Sequence, residues 1–440
     1  MKSPRSCWNG SCILLLMLCF ALSGTSVAQN QYYIAPTGSD SNDGSKAHPW
    51  ATINHADSAL TLGPAGTCVS GTGWETAKGV ATTGIGACVH VANGTYSSGA
   101  FTTASGTASA RIRYITDTQY GAKLNGAGSS MWANYGQYID VVGFEFDGTG
   151  VNVQNGYINY YDSIHFGCHT QLLNNKAHDI WDAGGAIQGP GAIGTGGNDV
   201  NTGSRPDCGN LYQGNLIYHN NGGGSNTFLS GSGNGAINMA AGDIAQDNIV
   251  MDQGGTNCIG PTHTSIRVIV TNNTILNCAG SGIQLWRDPR SGPVNDFTTV
   301  TNNIIVNTGR ANSSGGISIY SPSGSGTGGC GTHNIYANNL MYGNTGGNWT
   351  GNCPNTSTGT QTGSNSTTFV SYTGTVSGDY HLKAGSNGIA LGTRSCALTG
   401  CVPALDFAGN ARLQASDIGS YAFAVTGAPT APTGLTASVQ

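Results

Sequence analysis

The chain has 440 residues, 70 of them glycine, only 8% charged, with a formal net charge of −5. That balance leaves no basic footprint for nucleic acid and no polybasic patch for a membrane surface. Ile, Val, Leu and Tyr recur throughout, which excludes a disordered chain and points to a loop-rich β protein with a polar, weakly charged surface.

Lys2 and Arg5 precede an apolar stretch from Ile13 to Leu22, and Ser26-Val27-Ala28 closes it with small residues. This order reads as a secretory signal peptide over residues 1–28, its apolar part too short to span a membrane. The product is expected to be secreted and extracellular. Three of the 13 cysteines (Cys7, Cys12 and Cys19) fall in this leader and ten follow it. An even count in an exported chain argues for disulfides. Spacing suggests neighbours in order: Cys68 with Cys88, Cys168 with Cys208, Cys258 with Cys278, Cys330 with Cys353, and Cys396 with Cys401. Sequence alone does not fix this connectivity.

Gln31-Tyr32-Tyr33-Ile34 reads as an opening strand, followed by Ala35-Pro36-Thr37-Gly38-Ser39-Asp40 and then Pro49-Trp50-Ala51-Thr52-Ile53. Residues 51–62 carry helical periodicity and would cap the end of a core. From Leu172 a motif recurs. Asn174-Asn175, Gly214-Asn215, Asp247-Asn248, Asn272-Asn273, Asn302-Asn303 and Asn338-Asn339 each sit between apolar runs of three to five residues. Their second positions step by 40, 33, 25, 30 and 36 residues, a fixed motif with loops of variable length. Runs this short and rich in Ile and Val are strands. Asn tolerates the left-handed backbone of a tight turn, and its amide can bond the Asn stacked about 4.8 Å away in the next coil.

Strand, Asn turn, strand, loop and third strand then wind a parallel β-helix. Third strands are read at 185–188, 235–238, 282–286 and 316–320. Gly189-Pro190-Gly191-Ala192-Ile193-Gly194 matches a dinucleotide fingerprint, but no helix pattern follows, and it is read as a loop. Beyond these coils come Asp379-Tyr380-His381-Leu382, then Asp406-Phe407-Ala408-Gly409-Asn410 and Ile418-Gly419-Ser420-Tyr421. Residues 426–440 (Ala428-Pro429-Thr430-Ala431-Pro432 onward) look like a linker running into the first strand of a fibronectin type III-like module.

The opening motif and the closing segment together resemble secreted bacterial right-handed parallel β-helix proteins related to the family-nine pectate lyases. The resemblance spans roughly residues 30–425 and implies an all-β solenoid with an N-terminal capping helix over 29–425. These end motifs lie outside the catalytic coils, and the family's Lys-plus-Asp cluster has no clean counterpart in the sequence.

On such a scaffold a polymer lies along one strand stack and its loops. With Ile187, Ile237, Ile283 and Ile317 inward, period two puts Gln188, Asn238, Gln284 and Ser318 outward in one column, with Trp286 and Tyr320 in a second. Amides suit sugar hydroxyls and aromatic faces suit apolar sugar faces, although the same pattern describes ordinary exposed polar residues. Scarce charges cluster at Arg287, Asp288 and Arg290, at Asp199, Arg205 and Asp207, at Asp243, and at Lys176, His178, Asp179 and Asp182.

The resemblance implies a calcium-assisted polysaccharide lyase acting on a uronate polymer such as pectate or alginate. In lyases of this architecture Asp-held calcium neutralises the uronate, a role that Asp199, Asp207 and Asp243 would fill here, and a basic residue takes the proton on the adjacent carbon. Arg287 or Arg290 beside Asp243 and Asp288 would supply that base, with Lys176 the other candidate; Arg205 would contact substrate. Two other readings stand beside this one: a glycoside hydrolase using Asp243 and Asp288, and a non-catalytic glycan-binding or adhesive protein. The chain is expected to act as a monomer, with a polysaccharide as partner and neither nucleic acid nor membrane.

Overall fold

The computed structural model describes residues 30–161, 166–181, 191–196, 207–220, 235–261, 266–286, 295–320, 330–394, 402–412 and 416–423. Three parallel sheets run the length of the molecule, and each coil contributes one strand to each sheet. The first sheet has ten strands, from Asn30–Ile34 to Ile335–Ala337. The second has nine, from Gly94–Tyr96 to Leu340–Tyr342, and the third nine, from Ala100–Thr102 to Trp349–Gly351. This is the parallel β-helix expected from the Asn repeat.

Register explains the core. Tyr114, Val141, Leu172, Tyr212, Ala245, Val270, Val300 and Tyr336 stack inward from the first sheet. Phe146, Ala177, Ile217, Val250, Ile275, Ile305 and Met341 do so from the second. All belong to one buried cluster. Each buried aliphatic side chain contributes about 1.5–3 kcal/mol, so a column of them outweighs the modest propensity of three-residue strands.

The Asn doublet divides its work between its two positions. The first residue takes the left-handed backbone: Asn174, Asp247, Asn272, Asn302 and Asn338 have φ of 52–58°, and Gly214 stands in their column at 67°. The second residue forms a buried amide ladder. Asn175 Nδ2 donates to Asn215 Oδ1 at 3.2 Å, and Asn215, Asn248, Asn273 and Asn303 each donate to the next at 2.9–3.0 Å. The backbone N–H of each donates to the same oxygen at 3.0 Å. The other amide hydrogen goes back to a strand carbonyl, as from Asn273 to Ala245 at 3.0 Å. Every polar atom of a buried amide is thereby paired, the condition on which a polar group belongs in a core.

The helix expected over 51–62 is Ile53–Ala59. Thr52 caps it, accepting from the His55 N–H at 3.1 Å, and Ile53 and Ala56 join the core at its end. Two third strands differ from expectation. The position read at 185–188 in its coil belongs to Ile193–Gly196, whose Ile193 pairs with Ile237; residues 185–188 lie outside the described residues. Asn257–Pro261 is a third strand with no counterpart in the sequence reading, fitted into the shortest coil step.

Four disulfides form as the spacing suggested: Cys68–Cys88, Cys168–Cys208, Cys258–Cys278 and Cys330–Cys353. Cys396 and Cys401 lie outside the described residues, as do residues 1–29 and 424–440. Among the described residues no helix is long and apolar enough to cross a membrane.

The C-terminal segment covers the outer face of the second sheet. A hairpin of Phe369–Ser371 and Asp379–Leu382 packs Phe369, Tyr380 and Leu382, with Ile418, on Ile249, Met251, Leu276, Ile304, Val306 and Leu340. The left-handed asparagines hold this strap: Asn272 donates to Asp417 O (2.8 Å), Asn302 to Thr393 O (2.7 Å) and Asn338 to Leu391 O (2.7 Å). Arg412 adds a fully buried ion pair with Asp247 at 2.6 Å.

Candidate active site

Where the strap's apolar contacts stop, the outer face of the second sheet changes character. Three adjacent strands, Ala122–Leu124, Glu145–Asp147 and Lys176–His178, stack Lys123 beside Glu145 and Glu145 beside Lys176; Asp147 lies beside His178. The next strand continues these columns as Leu216 and Tyr218, which already belong under the strap. Alternation does the positioning. In Ala122-Lys123-Leu124, Glu145-Phe146-Asp147 and Lys176-Ala177-His178 the apolar residues face the core and the charged ones face out.

The side chains form one network. Lys123 Nζ lies 2.7 Å from Asp147 and 3.9 Å from Glu145, and Lys176 Nζ lies 2.6 Å from Glu145. His178 donates from Nε2 to Glu145 (2.9 Å) or from Nδ1 to Asp179 (2.7 Å), or from both when protonated, with Asp147 at 3.7 Å from Nδ1. His219 pairs with the other oxygen of Asp179. Tyr218 stacks on the His178 ring at 4.9 Å, and Lys176 lies 5.1 Å over the Tyr120 ring. Glu145, Asp147 and His178 are almost buried, whereas Lys123 keeps 36% of its side-chain surface in solvent and Asp179 30%.

Burial alone would raise the Glu145 carboxyl, but hydrogen bonds from His178 and Lys176 outweigh it and hold it below the ordinary value. Asp147 obeys the same balance and falls to about 2, chiefly through Lys123 and Thr149 against burial. Burial would lower His178, yet Glu145 and Asp179 raise it. Asp179 is lowered by His178 and His219 against burial. The contacts with Lys123, Lys176 and His178 therefore favour the charged form of all three carboxyls.

Glu145, Asp147 and His178 each offer a ligand atom, all within 4.8 Å of one another, a spacing that could take a metal ion. The aspartates expected to hold calcium are placed otherwise. Asp207 is ion-paired with Arg267 and Asp199 lies outside the described residues. Asp243 is fully buried, accepting from the N–H of Asn210 (2.8 Å) and of Ala240 (2.7 Å), and burial pushes it up to about 7. It continues a second polar stack, in which Asn210 accepts from the Thr170 N–H. Asp243 was expected at a groove; its place in the turn before Ile244–Gln246 puts it inside, out of reach of a polymer and of any partner carboxylate across a groove.

Other expected site residues divide. Gln284 and Ser318 are in register, as are Trp286 and Tyr320. Ser318 and Asn238 are nevertheless buried, with Ser318 bonded to Ser281 (2.8 Å) and Thr350 (2.6 Å) instead of facing out as expected. Gln284 accepts from Asn257 at 3.1 Å. Trp286 and Tyr320 are half-exposed. Gln188, Arg205, Asp182, Arg287, Asp288 and Arg290 lie outside the described residues. Of the base candidates, Lys176 stands in the network. The sequence reading missed Lys123, Glu145 and Asp147, although each alternates with apolar residues on a chain poor in charge.

No family model matches the sequence, and no curated protein sequence matches it. Solved structures do. Pectate lyase Pel9A superposes over 91% of this chain and 98% of its own, at 15% identity and a TM-score of 0.51. The fold is that of a pectate lyase-like parallel β-helix. A lacto-N-biosidase from Eubacterium ramulus matches over 76% of this chain and 68% of its own, at 14% identity and a TM-score of 0.43. A rhamnogalacturonan lyase matches over 78% and 91%, at 15% identity and a TM-score of 0.38. At these identities the likeness is one of fold.

Proposed function

We propose that this chain is a secreted polysaccharide lyase that cleaves a uronate-containing polymer by β-elimination on the open face of the second sheet. The observation that carries this is the gathering of Lys123, Glu145, Asp147, Lys176, His178 and Asp179 on adjacent coils of a chain with 8% charged residues. Elimination needs a cation beside the sugar carboxylate, a base for the hydrogen on the carbon bearing it, and an acid for the departing oxygen. Lys123, the most exposed member of the central pairs, meets the carboxylate. Lys176, after giving up its own proton to solvent, accepts that hydrogen as a proton. The carbon–oxygen bond to the next sugar then breaks as the double bond forms, and His178, biased toward its protonated form, supplies a proton to the leaving oxygen. Glu145 positions Lys176 and His178, and Asp179 fixes the His178 ring.

Hydrolysis finds less support in this cluster. A glycosidase needs one carboxyl with a raised pKa as general acid, whereas Glu145, Asp147 and Asp179 are all lowered. Export is part of the proposal, supported by the leader-like N-terminus and the four disulfides.

A panel of polysaccharides, read for both ultraviolet absorbance of unsaturated sugar and new reducing ends, tests the reading. A lyase gives both signals together. Reducing ends without absorbance indicate a hydrolase, and neither signal indicates a glycan binder.

A further inference from the structure

We infer that this site neutralises the substrate carboxylate with lysine, Lys123 foremost, and holds no calcium ion. The substrate half of this inference rests on the lyase reading; the metal half stands on the cluster alone. Calcium takes about six to eight oxygen ligands in a flexible shell. The metal-like trio instead contains an imidazole, and among the described residues Asp179 is the further carboxylate bonded to it.

The oxygens a cation would seek are already taken by cations. Lys123 Nζ sits 2.7 Å from Asp147 and 3.9 Å from Glu145, the bridging position between the two carboxylates. Lys176 is 2.6 Å from the same Glu145 oxygen that lies 2.9 Å from His178. Asp147 and Glu145 are thus engaged by Lys123 and Lys176, and Glu145 and Asp179 by the two nitrogens of the His178 ring. A divalent ion placed among them would have to displace the Lys123 ammonium from Asp147 and Lys176 from Glu145. Of the other aspartates, Asp207 is engaged by Arg267 and Asp243 is sealed in the core, while Asp199 lies outside the described residues.

Lys123 is built for a second partner. Its ammonium is held at one side by Asp147, while more than a third of the side chain remains in solvent. A uronate carboxylate arriving there completes the lysine's donor set without displacing Asp147, because an ammonium has three donors.

Two measurements test this. Isothermal titration of the purified protein with calcium chloride, alongside thermal melts in calcium and in chelator, is expected to show no saturable binding and no shift in Tm that depends on Glu145. Stoichiometric calcium binding that vanishes in Glu145→Gln overturns the inference, whatever the enzyme's activity. On the uronate polymer that gives absorbance, turnover is expected to be unchanged by chelator and to fall at least about tenfold in kcat/KM for Lys123→Met, with Lys123→Arg keeping most of it. Turnover that stops in chelator and returns with calcium overturns it as well. If no polymer is cleaved, the lyase reading fails and the calorimetry still decides the metal.

Discussion

The outer face of the second sheet has two halves built on the same coil. In the half from Leu216 to Tyr342 the outward residues are Ile249, Met251, Leu276, Ile304, Val306 and Leu340, and a C-terminal strap seals them. In the half from Lys123 to His178 the same outward positions carry lysines, carboxylates and a histidine, and part of that surface stays open. The backbone and the inward columns hardly differ between the two. A solenoid coil therefore fixes where a side chain points and leaves its chemistry free. Structure resides in the inward column and the Asn ladder; function has room only where nothing covers the outward column.

Breaking the covered half should have the largest effect on stability. Arg412→Ala leaves Asp247 buried without its cation, where burial already pushes the carboxyl up to about 7. A loss of about 3–5 kcal/mol is expected, with the strap released first. Urea melts and limited proteolysis at the C-terminal end would read it. A wild-type midpoint would mean that the apolar contacts and the Asn272, Asn302 and Asn338 bonds hold the strap without the ion pair.

The ladder is common to both regions and should cost less to interrupt. Asn273→Ala removes an amide that bonds Asn248, Asn303 and Ala245, leaving their buried groups unpaired. About 1–3 kcal/mol is expected. The same substitution at Asn302, whose amide reaches Thr393 in the strap, should instead loosen the strap while sparing the core. Hydrogen exchange resolves the two: protection lost along the inner coils for Asn273, and along 388–394 for Asn302.

The open half should show itself in pH. Asp147 lies near 2 in the fold against an ordinary 3.8. Its contribution is full above 3.8 and fades as pH falls toward 2. His178 is raised, so its contribution is present at acid pH and is lost as pH climbs through its folded value. Asp147→Asn should flatten the acid limb of Tm against pH by a small amount, with a smaller change where His178 titrates, because Asp147 helps to raise it. An unchanged acid limb would mean that the Lys123 contact is not kept in solution.

Much of the fold was legible because the residues that specify a solenoid repeat in sequence. The Asn doublets gave turn and register from Asn175 onward, and paired cysteine spacing anticipated the four bridges. The start of Ile193–Gly196 was read as the end of a loop over 189–194, a Gly-rich run with no helix pattern after it, and Asn257–Pro261 escaped because its coil is too short to advertise a third strand. The site was half legible for the same reason. Lys176, His178 and Asp179 stood out beside the first doublet. Lys123, Glu145 and Asp147 lie in earlier coils where Gly121-Ala122 and Gly143-Phe144 occupy the doublet's place, so no Asn marked their register. Asp243 misled because a lone acid in a Gly-rich stretch reads as exposed, while only tertiary packing reveals a carboxylate bonded by backbone N–H groups in a sealed turn.

We propose that chemistry belongs to the open half of the second sheet. The most direct test compares β-elimination by Lys176→Ala with that by Trp286→Ala, a half-exposed residue of the third sheet, on whichever uronate polymer the native protein cleaves. Lys176→Ala is expected to lose at least about a thousandfold in kcat, on the order of 4 kcal/mol of transition-state stabilisation, with Tm moved by a few degrees at most. Trp286→Ala should keep kcat within about threefold. Full activity in Lys176→Ala, or a collapse in kcat confined to Trp286→Ala, would contradict the account and move the site to the third sheet.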